Sequence, residues 1–378
     1  MTYARARLWL GIVCVGSIVV LSLIALRLDL PGKLLSRYPA YIAIGMALGS
    51  YILISLPFDL FGGYWIQRWY QRAPLAFGFF LTRLVQGVFW QSLIMAICGL
   101  AIMQAARFHG LAASVLCVGV LMTALLWGQS SIARLVGRLR RIDADLLPIS
   151  AALKSWAIHP PDTLIYGATD PGFVGGLIGW PRRASIVIIP AFWLTRLTPE
   201  ECAVEIARRW GTVTTAAWAR GVILALVWNL MGFWLAAELS GSDLRQPAGL
   251  ITTALWFTLW SFGGLLLLPS LSRPAVFEAD RFARDRGIPL VLLTQTILQL
   301  DSMQDDEPVR SAWIERIFHP VPSVEARLCE LSSEKTSRGA WQCARTALYL
   351  SWACFGFLPR AVHCNCGRPE LWVLFPGD

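Results

Sequence analysis

The stretch LTPEECAVEIARRWGT, from Leu197 to Thr212, contains the signals that begin one helix and set its first turn. Thr198 is a typical N-cap residue, and Pro199 suits the first helical position because its fixed φ is already helical. The two glutamates that follow complement the positive end of the helix dipole. These signals predict a helix from Pro199 to Thr215.

A charged triplet on this predicted helix has two interpretations. Glu205 precedes Arg208 by three residues and Arg209 by four, so its carboxylate can pair with either guanidinium. One interpretation is a solvated, salt-bridged helix face. The other is a buried arrangement in which a guanidinium supplies a positive charge inside the protein, with Asp280 as its partner.

The same helix has the frame of a zinc-binding motif without its ligands. The motif H-E-x-x-H places two imidazoles at i and i+4 on one helix face, with a Glu as general base between them. Here the three positions are Arg208, Arg209 and Thr212. A guanidinium has no acceptor and stays protonated, so it neither ligates zinc nor accepts a proton.

The segments around this helix resemble the CAAX prenyl endopeptidase and HtpX-type family of membrane zinc metallopeptidases, which are gluzincins. In that family a phrase like LTPEE precedes the metal helix, and a glycine-containing hairpin like Gly172 to Trp193 comes before it. Downstream, SRPAVFEADRFA is similar to the family motif S-R-x-x-E-[FY]-x-A-D, but Val276 stands at the position of the third zinc ligand. The resemblance runs from about Pro57 to Leu331.

The resemblance also implies supporting residues and a substrate strand. Asp280 matches the Asp that lies beside the metal ligands in the family, and VPSVEARL places Arg327 in a last, S-x-E-x-R-like motif. With Glu205 these are the candidate structural residues. Strands are predicted from Asp162 to Ala168 and from Ala184 to Pro190, and the second matches one that pairs with extended substrates through an exposed edge. Its candidate residues are Ser185, Ile186, Val187 and Ile188.

The composition is that of a membrane protein. The chain is 56% hydrophobic and 15% charged, with a mean hydropathy of +0.55. Six apolar stretches approach the length needed to cross a bilayer, namely Leu8–Leu26, Ala40–Leu56, Leu84–Ala106, Leu111–Gln129, Val222–Ala237 and Leu250–Leu268. A seventh, Ala347–Leu358, is short, and we expect it to lie in the interface or to re-enter.

The distribution of basic residues predicts the orientation. Arginines precede the first span, lie between the second and third, and follow the fourth, which puts the amino terminus and the soluble part in the cytoplasm. The net charge of +9 fits attraction to anionic lipid headgroups. No basic-aromatic groove or nucleic-acid-binding module occurs, so we expect no nucleic-acid partner.

Nine cysteines and four histidines are spread singly along the chain. The exception is HCNCG, with His363, Cys364 and Cys366, which lacks the distant second pair of a structural zinc site. We interpret it as part of a flexible tail with free thiols. No histidine lies within four residues of another, so no helix can offer paired imidazoles.

These observations predict a mostly α polytopic membrane protein, with about six transmembrane helices and a small α+β gluzincin-like cytoplasmic domain. Five regions follow: a four-helix membrane region (1–141), the first half of the peptidase-like domain (142–217), transmembrane helices five and six (218–271), the second half of that domain (272–345) and a short apolar segment with a cysteine-containing tail (346–378).

Three functions remain open at the level of sequence. The first is a pseudopeptidase that has no metal and binds a hydrophobic or lipidated peptide, or a membrane partner, in its chamber or along its edge strand. The second is an active zinc metalloendopeptidase with relocated ligands, drawn from His319, Glu278 and Asp280, or from His159. The third is a chamber-type transporter or receptor, although Asp59 is almost the only ionisable residue in the spans.

Overall fold

The computed structural model describes residues 1–72, 76–159, 161–168, 170, 172–304, 306–333 and 338–374. The α-helices in these residues are Tyr3–Arg27 (α1), Leu30–Leu35 (α2), Ala40–Leu60 (α3), Ile66–Trp69 (α4), Phe77–Gly137 (α5), Leu147–Ser155 (α6), Trp193–Arg196 (α7), Pro199–Thr214 (α8), Ala217–Ser240 (α9), Pro247–Asp285 (α10), Leu290–Gln304 (α11), Ala312–Phe318 (α12), Val324–Leu331 (α13) and Cys343–Leu350 (α14). The strands are Arg140–Ile142 (β1), Thr163–Gly167 (β2), Gly176–Ile178 (β3) and Ile186–Pro190 (β4).

Membrane helices dominate the architecture. In the described part of the chain, five helices are long and apolar enough to cross a bilayer, namely Tyr3–Arg27, Ala40–Trp69, Phe77–Gly137, Ala217–Ser240 and Pro247–Asp285. Their outer faces expose large apolar side chains such as Leu53, Leu116 and Trp127, as contact with lipid requires. The chain is therefore a multi-pass membrane protein.

The longest helix, α5, is folded back on itself. A straight helix of 61 residues would be about 90 Å long. Instead, His109 and Gly110 leave helical geometry, and the side chain of Gln86 donates to the carbonyl oxygen of Leu135 at 2.9 Å. The two halves thus form an antiparallel helical hairpin. The break falls between the two spans predicted for this region.

A small mixed sheet lies in the soluble part. Its strand order is β1-β2-β4-β3, with β2 and β4 parallel and the other two pairs antiparallel. The strands predicted from Asp162 to Ala168 and from Ala184 to Pro190 correspond to β2 and β4. Strand β1 was not predicted, because three residues are too few to show an alternating pattern. The hairpin that the resemblance implied between Gly172 and Trp193 is present as the antiparallel pair of β3 and β4.

Helix α10 connects the membrane part to the soluble part. It has 39 residues and is about 58 Å long, nearly twice the thickness of the hydrocarbon core. Its carboxyl-terminal part therefore extends past the apolar stretch and packs on α8. This places Asp280, near the end of α10, against the helix that contains Arg208.

Candidate functional site

Helix α8 begins where its sequence predicts. The hydroxyl of Thr198 accepts from the backbone N–H of Glu201 at 3.2 Å, and the carboxylate of Glu201 accepts from the N–H of Thr198 at 2.8 Å. This is a complete capping box, with Pro199 as the first helical residue. The fixed start sets which side chains of α8 face inward.

The charged triplet of α8, Glu205, Arg208 and Arg209, faces inward. Arg208 is 0% exposed and Arg209 is 1% exposed, so the solvated-face interpretation is wrong. Arg208 donates from Nη1 to Glu205, and its Nε donates to Oδ1 of Asp280 at 2.6 Å. Arg209 donates from Nε to the other oxygen of Glu205 at 3.0 Å.

A third arginine completes the arrangement. Arg327, at the end of the last motif, donates from Nε and Nη2 to the two oxygens of Asp280, both at 2.8 Å. Asp280 therefore lies between Arg208 and Arg327. The ion cluster, as we call it, consists of Glu205, Arg208, Arg209, Asp280 and Arg327. The structure thus brings together all three residues proposed as structural support.

Arg209 also fixes α8 to the sheet. Its terminal nitrogens donate to the carbonyl oxygens of Ile188 at 2.9 Å and Val174 at 2.7 Å. Its guanidinium carbon lies 5.1 Å from the ring centroid of Trp193, within cation–π distance. The side chain at the position of the motif's general base is therefore part of the protein core.

A zinc ion does not fit the residues present at this position. Arg208 and Arg209 offer no lone pair to a metal, and their positive charges repel a cation. Val276 is apolar and buried. The hydroxyl of Thr212 donates to the carbonyl oxygen of Arg209 at 2.8 Å. Within the described ranges, no three His, Cys, Asp or Glu side chains are grouped as a metal would require. No catalytic step through zinc follows from this arrangement.

The residues considered as relocated ligands form no metal-binding group in the described chain, and two of them are already paired with arginines. Glu278 accepts from Arg220 at 2.7 Å, and Asp280 belongs to the ion cluster. His319 is 5% exposed and lies against His363, with ring centroids 5.3 Å apart, whereas His159 is exposed. The pair of histidines is a contact that the sequence spacing did not indicate.

The expectation of an exposed edge on the strand from Ala184 to Pro190 is wrong. β4 pairs with β2 on one side and with β3 on the other, so its backbone groups are already used. Ser185 precedes the strand, and Val187 and Ile188 are 0% exposed. The candidate substrate residues, Ser185 to Ile188, are therefore in the interior of the sheet region.

The tail that was expected to be flexible is instead packed against the helices where the structure describes it. Of residues 340–374, here called the C-terminal segment, all are buried except Arg345, His363 and Cys364. Asn229 of α9 donates to the carbonyl oxygen of Ala347 at 2.9 Å. The segment thus packs among the helices of the bundle, against α5, α9 and α10, and occupies the interior between them.

Buried ion pairs hold the C-terminal segment inside the bundle. Arg360 donates to Asp59 of α3, Glu370 pairs with Arg83 of α5, and Arg368 donates to Asp170 of the β2–β3 loop at 2.6 Å from Nη2. Sequence analysis did not identify these partners. The signal was present in Asp59 and Arg83, which are charges at the ends of apolar spans.

One of these pairs lies outside the membrane helices. Burial alone would raise the pKa of the Asp170 carboxyl, but the charge and hydrogen bonds of Arg368 outweigh it and lower that pKa to about 2. The pair is therefore ionised at neutral pH.

Glycines allow the C-terminal segment to approach the helices closely. A Cβ added at any of seven helix positions would meet an atom of the segment at 3.1 Å or less. These positions are Gly11, Gly62, Gly63, Gly87, Gly99, Gly137 and Gly221. Because they lie on separate parts of the bundle, the segment is enclosed from several sides.

Two apolar cavities remain at the membrane surface. The larger, which we call the α1–α10 groove, has about 310 Å³ and lies between α1 and α10. Its wall includes Ile12, Phe262 and Leu266, and Leu266 is 42% exposed at its rim. The second, of about 290 Å³, lies among α1, α2, α3 and the start of α10.

Comparison with known proteins gives a likeness of fold. No protein-family model matches the chain, and no curated protein matches it. Among solved structures, the chain is similar to the crystal structure of S. mikatae Ste24p, with a TM-score of 0.64. The two share 13% sequence identity, and the match covers 76% of this chain and 74% of that one. At this identity the similarity shows the fold alone.

Proposed function

We propose that this protein is a non-catalytic membrane protein with a metallopeptidase-like fold, and that it binds a hydrophobic chain presented from the bilayer. The ion cluster is the observation that carries the first half. The positions at which the zinc motif has its imidazoles and carboxylate hold Arg208, Arg209 and Thr212, and both arginines are bonded to buried carboxylates.

The likeness to Ste24p supports a common architecture. The two chains share a fold at a TM-score of 0.64, and the motifs of this chain resemble those of the CAAX prenyl endopeptidase family. The framing residues of those motifs are kept in this chain, whereas the residues that would bind metal are replaced. A protein whose metal ligands are replaced while the framing residues remain can keep the fold without the hydrolytic reaction.

The interior of the bundle argues against the other two functions. A transporter needs a path or a pocket between its helices, but the C-terminal segment fills this region and is held there by buried ion pairs. An active peptidase needs a site that substrate can enter. His319 and Glu278, the residues considered for relocated metal binding, have other neighbours.

The α1–α10 groove supports the binding half of the proposal. At about 310 Å³ it lies at the lower end of the volumes of ligand pockets, roughly 300–1,000 Å³. Its wall is almost entirely apolar, and its exposed rim at Leu266 lies on a membrane helix. A hydrocarbon chain of a lipid, or of a lipidated or membrane peptide, could enter it from the bilayer.

The topology belongs to the same proposal. The hairpin of α5 contributes two crossings, so that six crossings return the chain to the side of its amino terminus. The arginines near α1 and at the end of α5 favour the cytoplasm for that side, which contains the peptidase-like domain.

The first prediction concerns metal and activity. The purified full-length protein should contain less than stoichiometric zinc, as measured by elemental analysis, and should cleave neither prenylated peptides nor unfolded membrane proteins. The reason is that Arg208, Arg209, Thr212 and Val276 provide no ligand and no general base. About one zinc per chain, lost on substitution of His319 or Glu278, would contradict this and support the relocated-ligand alternative.

A further inference from the structure

The α1–α10 groove has a polar end. On the side of the soluble domain its lining includes Arg345, His363 and Pro320. Arg345 and Pro320 also line a separate polar cavity of about 30 Å³. The two cavities therefore adjoin, so one ligand could occupy both.

The polar cavity, which we call the basic pocket, is rich in cations. Arg310, Arg327 and Arg345 line it together with His319, whereas Asp301 is the one carboxylate among its lining residues in the described chain. Arg327 is bonded to Asp280, and Arg310 lies 3.6 Å from Asp301. A guanidinium has five N–H donors, so a bond to one carboxylate is compatible with a second anionic partner.

We propose that the groove and the basic pocket together bind a lipid phosphomonoester from the leaflet next to the soluble domain. One hydrocarbon chain lies in the α1–α10 groove, and the phosphate lies against Arg345 in the basic pocket. This inference rests on the proposed function and names the class of ligand. Arginine clusters suit phosphate because their planar donors match its oxygens.

The size and charge of the basic pocket select the headgroup. About 30 Å³ accommodates a group comparable to one or a few water molecules. A phosphate is closer to this size than a choline ester is, and a choline ester also carries an ammonium, for which the arginine N–H donors offer no acceptor. We therefore expect phosphatidic acid to be preferred over phosphatidylcholine with the same chains.

The second apolar cavity provides an internal contrast. It is lined by side chains such as Leu21, Leu34 and Ile54, and none of its lining residues in the described chain is charged. It can take a hydrocarbon chain but offers nothing to a phosphate. Headgroup selection is therefore expected only at the α1–α10 groove.

The chain offers matched variants for the experiment. A Cβ at Gly16, which lines the groove, or at Gly45, which does not, would meet nothing within 4 Å. Gly16→Leu therefore places a larger side chain at the groove with no close contact at its Cβ, and Gly45→Leu is its control. Arg345→Gln removes a charge from the basic pocket, and Arg316→Gln removes an exposed charge on α12.

The test is a lipid titration of the full-length protein in neutral detergent, followed by native mass spectrometry. Wild type should bind phosphatidic acid at least about tenfold more tightly than phosphatidylcholine, and Arg345→Gln should weaken binding of phosphatidic acid about fivefold. Gly16→Leu should abolish it. Both controls should match wild type, and thermal unfolding in the same detergent should show that each variant is folded.

Other outcomes separate the two proposals. Equal binding of both lipids, blocked by Gly16→Leu but unchanged in Arg345→Gln, would overturn the phosphate assignment and leave the proposed function standing. So would selective binding of a farnesylated peptide. Binding of inorganic phosphate as tight as that of phosphatidic acid would make the basic pocket a free-anion site. No binding of either lipid or of the peptide would overturn both proposals.

Discussion

Arg208 has two carboxylate partners in a place where water cannot reach it. A buried charge is tolerated when it is paired and its hydrogen bonds are made, and breaking such a pair leaves the other charge uncompensated. Arg208 contacts Glu205 on its own helix and Asp280 on α10. It therefore connects two elements whose counterparts in the peptidase motif would be connected through a metal ion.

The prediction at this scale concerns Arg208 and its partner. Replacing Arg208 with Ala should lower the free energy of unfolding by roughly 3 to 5 kcal/mol, because carboxylates remain buried without it. The matched control is Arg196→Ala, an exposed arginine on α7 that should cost under about 1 kcal/mol. Thermal and denaturant unfolding in detergent would measure both.

A double-mutant cycle tests whether the pair is coupled. Asp280→Asn combined with Arg208→Ala should recover part of the loss, since one unpaired charge is removed. Recovery should be incomplete, because Asp280→Asn also takes a partner from Arg327. Strict additivity, or a neutral Arg208→Ala, would mean that the ion cluster contributes little to stability.

Among individual residues, the sequence predicted the contacts that are set within a single helix. The spacing from Glu205 to Arg208 and Arg209 is fixed by the helix, so their pairing could be inferred without a structure. The bonds of Arg209 to backbone oxygens of the sheet could not, since they depend on how α8 packs on β4. Burial of Glu205, Arg208 and Arg209 could not be predicted either, because it depends on how α10 packs on α8.

The C-terminal segment shows how an irregular chain can lie within a helical bundle. Non-helical backbone at membrane depth is tolerated only where protein surrounds it, because lipid offers no hydrogen-bond partners. Side chains of the helices provide hydrogen-bond donors to the backbone of the segment. For example, Gln129 donates to the carbonyl oxygen of Val373, and Arg7 donates to that of His363.

The element-scale prediction uses the native cysteines of this segment. Cys354 and Cys366 are 0% exposed, so a small thiol reagent should not modify them in the folded protein. Arg360→Gln should leave Asp59 without its charged partner, loosen the segment, and make both thiols reactive at a rate at least about tenfold higher. Mass spectrometry of labelled peptides would measure this.

The control is Arg338→Gln, which changes an exposed arginine just before the segment and should leave both cysteines protected. Asp59→Asn in the Arg360→Gln background should restore part of the protection, since no charge is then left unpaired. If Arg360→Gln leaves the thiols as slow as in wild type, the ion pairs do not hold the segment in place.

Element prediction from sequence worked where a pattern was long and failed where it was non-local. Strands β2 and β4 were recognised from their β-branched residues. The order of the strands in the sheet was not predicted, because it depends on pairing between segments that are far apart in sequence. The apolar part of the C-terminal segment was recognised. Its continuation to Val373 was not, because Arg360, Arg368 and Glu370 look like surface residues until their partners are known.

The fold as a whole was predictable to the level of its class. Apolar stretches indicated the membrane helices, and the order of motifs indicated a resemblance to a family of membrane peptidases. The structure is similar in fold to Ste24p, with a TM-score of 0.64. What the sequence could not indicate was the occupied interior. Whether the space between helices is empty depends on contacts between residues that are far apart in sequence. Here the C-terminal segment, residues 340–374, occupies that space.

The last prediction tests six crossings and their orientation together. The hairpin turn of α5 lies beside the α9–α10 loop, since Nε of Arg245 donates to the carbonyl oxygen of Ala106 at 3.3 Å. Cysteines introduced at His109 and Asp243, both exposed, should therefore react with an impermeant reagent added outside intact cells. Cys329, which is exposed in the soluble part, should react only after the cells are opened.

Each alternative topology gives a different pattern. Labelling of Cys329 from outside, with positions 109 and 243 protected, would keep six crossings and invert the orientation. Labelling of positions 109 and 329 from the same side would mean that the second half of α5 does not cross. Cys202 is unsuitable as a reporter, because it is 1% exposed and burial raises the pKa of its thiol to about 12. Only reaction from opposite sides fits a hairpin that spans the bilayer twice.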